Sequence, residues 1–344
     1  MEQNVPKSGS KSRATSYDVA RLAGVSQSAV SRCFKPGSSV SKKMRNKVME
    51  AAKQLKYQPN AIARSLISRR SNLVAVLVSA RLNFYYPEVL FTLTDRFNEQ
   101  NMRVLLFTVE QESDVDDVLD QIWQYAADGV ISASHLSLAQ HKLLEERHIP
   151  VIMFNRYFDE HASNSVWCDT RDGATILIDQ LLMFGHKNIA LLHGPEDGMV
   201  GRERMVITKE ILKNRGIDPV VESRGDYTYE SASKAVQEII EKAPHTTAII
   251  AANDMMAMGA IDELRNVMGR KVPGDMSVAG FDGLGAGRFS SYELTTVRQP
   301  IGRMSDAAVN MLLKRVEDSE LSMEKRVLAG TFLQGTSTGP VNLS

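Results

Sequence analysis

The sequence is poor in cysteine and aromatic residues and has no long apolar run. Its 344 residues include two cysteines, Cys33 and Cys168, which cannot make the disulfide framework of a small secreted protein. Apolar runs such as Leu73–Val78 fall far short of the ~18 residues that a membrane-spanning helix needs. Residues 1–16 are polar and lack the apolar centre of a secretion signal. These absences favour a cytoplasmic protein, and the chain length suggests two to three domains.

The charges are divided unevenly along the chain, although the formal net charge is zero. Residues 1–71 hold 15 lysines and arginines against three acidic residues, a net charge of +12. The remaining 273 residues therefore carry −12. A basic segment on an acidic body favours a polyanionic partner for that segment alone. Nucleic acid is the leading candidate, with an anionic membrane surface or a merely solvated charge run as alternatives.

Residues 16–59 have the pattern of three short helices. Ser16 and Ser26 are each placed to cap a helix, and Gly24 is placed to end the first one. A helix, a short turn with glycine and a second helix form the helix-turn-helix motif, whose second helix lies in the DNA major groove. The sequence therefore predicts an all-α DNA-binding domain over residues 16–59.

The outward side of the second helix carries polar residues that suit base edges. Glutamine can bond adenine and arginine can bond guanine through paired hydrogen bonds, whereas serine is adaptable. The residues on this side are Gln27, Ser28, Ser31 and Arg32. Basic residues of the third helix are expected near phosphates, where they add affinity without sequence information. These are Lys42, Lys43, Arg45 and Lys47.

Four runs of the basic segment form a long, specific motif: Tyr17–Ser26, Ala29–Arg32, Val40–Ser41 and Tyr57–Asn60. The motif resembles the lactose-repressor (LacI/GalR) family of transcription regulators. The resemblance implies that Gln27, Ser28 and Arg32 read a pseudo-palindromic double-stranded DNA operator, one half-site per protomer of a homodimer. The full set of expected DNA contacts is Tyr17, Ser26, Gln27, Ser28, Ser31, Arg32, Asn60, Ala63 and Leu66.

Residues 60–71 are expected to form a second DNA-contacting element, and residues 1–15 a disordered basic tail. The segment is amphipathic, but a helix this short is marginal alone in water. In the family that the chain resembles it is a hinge helix, paired across the dimer in the minor groove. Leu66 matches the family's wedge leucine, which partly unstacks a base step. From the residues alone, Leu66 would fit better in the core of a linker helix.

From Ser71 onward, strand and helix patterns alternate. The alternation begins with strand Leu73–Val78 and helix Pro87–Gln100 and continues to helix Met255–Val267 and strand Ser277–Phe281. Strands that alternate with helices of this length predict parallel sheets. About 270 residues are too many for one compact sheet of this kind, which favours two lobes.

The resemblance extends over this region through runs such as Ala252–Asp254 and Gly280–Asp282. It implies a two-lobed α/β core like that of periplasmic sugar-binding proteins, with doubly wound parallel sheets and the ligand in the cleft. The expected effector-binding and dimerisation core spans residues 72–344. Its lobes are expected at about 72–167 plus 299–328, and at about 168–298 plus 329–344.

Polar residues that follow predicted strands are candidate ligand groups, because open α/β sheets bind ligands beyond the carboxyl ends of their strands. Carboxylate, amide and guanidinium groups suit a polyhydroxyl ligand, since each buried hydroxyl needs a partner. In the family, Arg204, Asn253 and Asp282 correspond to effector-contacting positions. Asn253 is equally suited to capping a helix, and a surface ion pair is the less favoured alternative for Arg204. The expected set is Asn83, Tyr85, Asn155, Arg156, Arg204, Asn253 and Asp282.

Enzyme motifs are weak in this sequence. The glycines around residue 285 miss the spacing of a dinucleotide-binding loop, and no phosphate-loop motif is present. His141, Glu145 and His148 lie on one predicted helix, but without a further ligand a solvated helix face is favoured over a zinc site. We therefore expect no catalytic residues, no metal and no cofactor.

The observations together predict a sequence-specific transcriptional regulator, in the first instance a repressor, whose operator affinity is controlled by a sugar or sugar derivative. No leucine-heptad tail follows the core, which favours a dimer. One alternative is a cytoplasmic small-molecule-binding protein of the sugar-binding fold without DNA regulation. Another is an enzyme of that fold, such as a kinase or an isomerase.

Overall fold

The computed structural model describes residues 14–34, 37–58, 70–79, 84–109, 114–196 and 198–341. It divides into two compact units, one within residues 1–71 and one within residues 72–344. Most of the expected basic tail and hinge helix lies outside the described residues. No described helix is both long and apolar enough to cross a membrane.

The first unit contains three helices, α1 (Ser16–Ala23), α2 (Gln27–Cys33) and α3 (Lys42–Gln54). They share a small apolar core: Val19, Ala20, Ala23, Val30, Cys33, Val48, Ala51 and Ala52. Ser26 caps α2 as expected, but the expected cap of α1 at Ser16 is wrong by one residue. The Thr15 hydroxyl accepts from the Asp18 amide at 3.3 Å, and the Asp18 carboxylate accepts from the Thr15 amide at 2.9 Å. This reciprocal pair satisfies two amide donors of the first turn.

In the second unit, strands and helices alternate along the chain. The first stretch comprises β1 (Leu73–Ser79), α4 (Tyr85–Glu99), β2 (Arg103–Val109), α5 (Asp114–Gln124), β3 (Gly129–Ser132), α6 (Leu138–Glu146), β4 (Val151–Phe154) and β5 (Asn164–Asp169). The next comprises α7 (Arg171–Met183), β6 (Ile189–His193), α8 (Met199–Asn214), β7 (Val221–Arg224), α9 (Tyr229–Lys242), β8 (Ala248–Ala251), α10 (Asp254–Asp262), β9 (Ser277–Asp282) and β10 (Thr295–Arg298). The last comprises α11 (Ile301–Glu317), β11 (Lys325–Ala329) and β12 (Thr331–Leu333).

Two six-stranded sheets organise this unit, with strand orders β11-β5-β4-β3-β1-β2 and β12-β10-β9-β8-β6-β7. The first sheet is parallel throughout, and in the second only β12 is antiparallel to its neighbour. Both contain the doubly wound order 2-1-3-4-5, counted from each sheet's first strand, so both have a switch point where ligands bind in such folds. The expected fold class is confirmed.

The chain passes between the two sheets at three places: after Asp169, after Arg298 and between Ala329 and Thr331. Buried central strands account for the continuous apolar runs, since in β8 all four side chains are fully buried. Each sheet packs its own apolar cluster against its helices. The carboxyl ends of β4, β8 and β9 carry the polar residues described next.

Candidate functional site

The amino-terminal end of α2 is fixed to α1 while its polar side stays exposed. Gln27 is half-buried, and its Nε2 donates to the Ser16 hydroxyl at 3.3 Å. The Ser26 hydroxyl accepts from the Ala29 amide at 3.2 Å, which uses it as the helix cap. The expected base-contacting residues with exposed side chains are Ser28, Ser31 and Arg32, and on α1 Tyr17 is 68% exposed. These four form an exposed polar surface, which we call the α2 face.

Arg45 of α3 does not lie with the exposed lysines, and its expected phosphate contact stays a prediction. Its side chain is half-buried, and Nη1 donates to the Cys33 carbonyl at the end of α2 at 2.8 Å. The last carbonyls of a helix have no intrahelical partner and favour a nearby cation. Arg45 therefore closes α2, whereas Lys42, Lys43 and Lys47 remain exposed.

Four of the expected contacts, Asn60, Ala63, Leu66 and Asn83, fall outside the described residues. Their predicted roles stay predictions.

Arg204 and Asp282 form a buried ion pair in the second unit. Their side chains are 5% and 2% exposed, and Arg204 Nη2 donates to Asp282 Oδ1 at 2.7 Å. Arg204 Nη1 donates to the Ala252 carbonyl at 2.8 Å. The alternative of a surface ion pair for Arg204 is therefore wrong. Arg204 lies on α8 and Asp282 ends β9, so the pair joins a helix to the carboxyl edge of the second sheet.

Each partner of this pair retains one unused polar atom. Arg204 Nε and Asp282 Oδ2 are buried and have no hydrogen-bond partner among the residues that the structure describes. An unsatisfied buried donor or acceptor costs about 1–3 kcal/mol. One is a donor and the other an acceptor, which is the pairing that a hydroxyl group needs because it can both accept and donate.

Gln299 connects this pair to the first sheet. Its Nε2 donates to Asp282 Oδ1 at 2.9 Å, while its Oε1 accepts from Asn155 Nδ2 at 2.6 Å and from the Tyr85 hydroxyl at 3.1 Å. Asn155 Nδ2 also lies 3.2 Å from the Tyr85 hydroxyl. The structure thus brings four expected residues, Tyr85, Asn155, Arg204 and Asp282, into one hydrogen-bonded network. The sequence analysis missed Gln299, although it follows a strand directly and lies between the two sheets.

Arg156 and Asn253 lie next to this network, but both are already used by the backbone. Arg156 is half-buried, and its Nη1 donates to the Asn155 carbonyl at 2.9 Å. Asn253 Oδ1 accepts from the Met256 amide at 3.0 Å and caps α10, while its Nδ2 donates to the Tyr227 carbonyl at 2.9 Å. The capping role of Asn253 is therefore present.

Tyr227 is a second residue that the sequence analysis missed. A Cβ atom at any of Gly194, Gly198 or Gly201 would lie within 2.2 Å of its side chain, so these glycines leave the space that the ring fills. The Gly201 amide donates to its hydroxyl at 3.1 Å. Burial raises the pKa of Tyr227, and the charge of Arg204 opposes that rise. A glycine-rich stretch after a predicted strand was the available signal.

Burial sets the electrostatics of this network. It raises the pKa of Asp282, and the neighbouring Arg204 guanidinium opposes that rise. Burial, and then the charge of Asp282, raise the pKa of Asp254 to about 7. Asp254 accepts from the Leu284 amide at 2.7 Å and from the Thr296 hydroxyl at 2.6 Å, so it supports the neighbouring strands.

Comparison with known proteins matches both units. Residues 15–60 match the family model described as bacterial regulatory proteins, lacI family, and residues 178–338 match a periplasmic binding protein-like domain. The Ribose operon repressor of Halalkalibacterium halodurans is 30% identical over 308 residues, which is 89% of this chain and 92% of that protein. The chain belongs to the lacI family of bacterial regulatory proteins. The expected family is thereby confirmed.

Other lacI-family proteins resemble the whole chain. The HTH-type transcriptional regulator CelR of Thermobifida fusca is 30% identical over 95% of this chain and 98% of its own length. A crystal structure of the lac repressor dimer bound to operator and an anti-inducer superimposes with a TM-score of 0.87, at 26% identity, over 95% of this chain and all of that one. This lacI-family chain is a transcriptional regulator and not an enzyme, so the alternatives of an enzyme and of a binding protein without a regulatory role are wrong.

Proposed function

We propose that this lacI-family regulator represses transcription by binding a pseudo-palindromic operator as a homodimer, and that a small polyhydroxyl effector controls the affinity. The unused Arg204 Nε and Asp282 Oδ2 carry the assignment of the effector site. A sugar or sugar derivative fits because its hydroxyls can accept from the guanidinium and donate to the carboxylate. The relative named for the ribose operon supports this ligand class. The protein acts in the cytoplasm, where bacterial DNA lies.

The α2 face supplies sequence recognition in this proposal. Arg32 bonds a guanine edge, and Ser28, Ser31 and Gln27 supply adaptable contacts around it. Tyr17 and Ser26 contact the backbone nearby, and the exposed lysines of α3 neutralise phosphates. Asn60, Ala63 and Leu66 bind the adjacent minor groove, where Leu66 inserts between base pairs.

The effector acts through the bridge at Gln299. Effector hydroxyls bonded to Arg204 Nε and Asp282 Oδ2 would lie beside Gln299. Gln299 hydrogen-bonds Asp282 of the second sheet and Asn155 after a strand of the first. Asn83, Tyr85, Asn155 and Arg156 contact the effector from the first lobe, and Asn253 positions the second. Binding therefore favours one arrangement of the lobes, with a coupling free energy of about 1–3 kcal/mol between effector and operator.

Two measurements on the full-length chain test the two halves of the proposal. The first is a gel-shift titration against bacterial promoter fragments at low ionic strength, where phosphate contacts are strongest. We expect selected fragments to bind more tightly than bulk DNA; uniform or absent binding would contradict the operator assignment.

The second measurement is a thermal-shift screen of sugars, sugar phosphates, sugar acids and nucleobases. A ligand of the native state raises the melting temperature, and at 100 times its Kd it adds about 2.7 kcal/mol. We expect a polyhydroxyl compound to stabilise the chain and to change the gel shift. Stabilisation by nucleobases alone would overturn the effector class and leave the DNA assignment intact.

A further inference from the structure

A cluster of metal-ligand side chains lies on α6 and on the loop between β4 and β5. His141 and Glu145 are one helical turn apart on α6, and His161 belongs to the loop. Glu145 Oε2 lies 3.5 Å from His141 Nδ1 and 3.8 Å from His161 Nε2. The three ligand atoms lie within 4.8 Å of one another. The expectation of a solvated helix face is wrong for His141, whose side chain is 1% exposed.

Hydrogen bonding does not account for this arrangement. His141 Nδ1 and His161 Nε2 are buried and have no hydrogen-bond partner among the described residues. The contacts of Glu145 with both rings are too long for good hydrogen bonds, which are rarely longer than about 3.2 Å. A buried polar atom without a partner costs about 1–3 kcal/mol, so two of them need a compensating interaction.

The distances from the Glu145 carboxylate to the two ring nitrogens are close to those around a small cation. Zinc bonds of about 2.0–2.1 Å in tetrahedral geometry place neighbouring ligand atoms about 3.4 Å apart. The distances from Glu145 Oε2 to the two nitrogens need to shorten by only a few tenths of an ångström.

The surroundings hold the rings and admit solvent. Phe158 packs edge-on against both imidazoles, with ring centroids 5.2 Å from His141 and 5.9 Å from His161. A cavity of about 160 Å³ adjoins His141 and Glu145. Glu320 and Arg315 also line this cavity. The carboxylates of Glu145 and Glu320 therefore outnumber the guanidinium of Arg315. An open side lined in this way gives an ion a route in and a place for water as a further ligand.

We propose that His141, Glu145 and His161 bind one divalent transition-metal ion of the zinc type, with solvent from the adjoining cavity completing its coordination. Two imidazoles and one carboxylate form a ligand set that zinc takes in proteins when one position is left to water. The ion would join α6 to the loop that begins at Asn155. His148, which the sequence grouped with this helix, lines the cavity but lies outside the cluster.

The test uses the full-length chain without an affinity tag, stripped with a chelator and titrated with Zn²⁺ against a chromophoric competitor. We expect one Zn²⁺ per chain, and Co²⁺ in its place to give the strong visible bands of low coordination number. His161→Gln and Glu145→Gln should each weaken Zn²⁺ binding at least 10-fold. His148→Asn is the matched control, because it changes a histidine of the same cavity at a positive φ that asparagine tolerates.

Thermal denaturation gives a second readout and verifies folding. Zn²⁺ should raise the melting temperature of the wild type and of His148→Asn, and leave that of His161→Gln unchanged. The proposal is overturned if the wild type binds no Zn²⁺ at micromolar concentration, or if His161→Gln and Glu145→Gln, with native circular dichroism, bind it as the wild type does. Loss of binding in His148→Asn alone would also overturn the assigned ligand set.

Discussion

At the scale of single residues, a few buried charges stand out against an apolar core. Asp282 is 3% exposed and adopts a φ of +128°, a region that glycine favours. Such backbone costs about 1–3 kcal/mol, and burial of a carboxylate adds to that cost. Packing alone does not require either cost at the edge of a sheet. In the proposed effector site, this buried carboxylate would bond a hydroxyl of the ligand.

The raised pKa of Asp254 predicts that the stability of the folded chain depends on pH. Its pKa is raised to about 7 from an unfolded value of 3.8, so the folded state binds its proton more tightly. The stability that this protonation contributes is fully present below the unfolded pKa of 3.8. It is lost as the pH rises through the folded pKa of about 7. Between pH 5 and pH 7 the loss is on the order of 2 kcal/mol.

Asp254→Asn removes this titration while keeping the shape of the side chain. Urea unfolding of both proteins at pH 5 and pH 7 should show the variant gaining stability relative to the wild type at the higher pH. Parallel stability profiles would show that Asp254 is ionised throughout this range.

We expect Arg32 to be the main source of the preference for particular DNA sequences. Arg32→Ala should lower the affinity for fragments selected by the wild type by about 1–3 kcal/mol while sparing weak, salt-sensitive binding to other DNA. Lys43→Ala, which changes another exposed basic residue, should weaken all fragments equally. Fluorescence-anisotropy titrations at two salt concentrations distinguish the two effects. An equal loss on every fragment in the Arg32 variant would make it a phosphate contact.

Residue-level reasoning found the groups that follow recognisable apolar strands. It missed Gln299, which follows a polar strand, and the contact between His141 and His161. Asn155 and Asp282 follow apolar runs, so the strand-end rule places them at the sheet edge. Gln299 follows β10, whose short sequence contains two threonines and gave no strand pattern. His161 meets His141 only because the loop after β4 folds back on α6, and spacing along the sequence does not encode that contact.

At the scale of elements, side-chain hydrogen bonds at both ends hold helix α2 in place. Ser26 caps its beginning, and Arg45 supplies a cation and a hydrogen-bond donor to its last carbonyls. The helix has only seven residues, so it depends on such contacts more than a long helix does. The orientation of the α2 face therefore rests partly on a residue of α3.

Arg45→Gln should loosen α2 without unfolding the chain. Loss of a partly buried, charge-assisted hydrogen bond costs about 1–2 kcal/mol, which corresponds to roughly 5–30-fold faster amide exchange in α2. Hydrogen-exchange mass spectrometry of the full-length chain measures this rate. Lys47→Gln, an exposed change on the same helix, should leave it unchanged. Equal exchange in the two variants would show that Arg45 is dispensable for α2.

Elements with long apolar runs were predictable, whereas the edge strands β7 and β11 were not. Strands β1 and β9 each come within one residue of the predicted limits, because their side chains are almost all buried. Strands β7 and β11 lie at sheet edges, and each contains two charged residues among only four or five, so neither forms a long apolar run. The predicted helix Met255–Val267 ends as a π-helix from Glu263, a change in hydrogen bonding that apolar spacing does not reveal.

At the scale of the whole second unit, the side chain of Gln299 links Asp282 of the second sheet to Asn155 and Tyr85 of the first lobe. It is 1% exposed, and both of its amide atoms are used. Gln299→Ala would leave Asn155 and the Tyr85 hydroxyl without their shared acceptor. We expect a loss of about 2–3 kcal/mol in the free energy of unfolding.

Urea denaturation of the full-length chain measures this loss. Gln334→Ala is the control, because it removes an exposed glutamine near β12 and should cost less than about 0.5 kcal/mol. If the two variants are equally stable, the bridge at Gln299 contributes nothing to holding the lobes together.

The chain passes back and forth between the two sheets, so each sheet is completed late during synthesis. Strand β11 pairs with β5, and β12 pairs with β10, so each sheet receives its last strand only after the chain has passed through the other sheet. A nascent chain on the ribosome therefore exposes the edges of β5 and β10 until these later strands have been made. Such edges invite pairing with other chains, and a stalled or truncated product would be a natural client for chaperones.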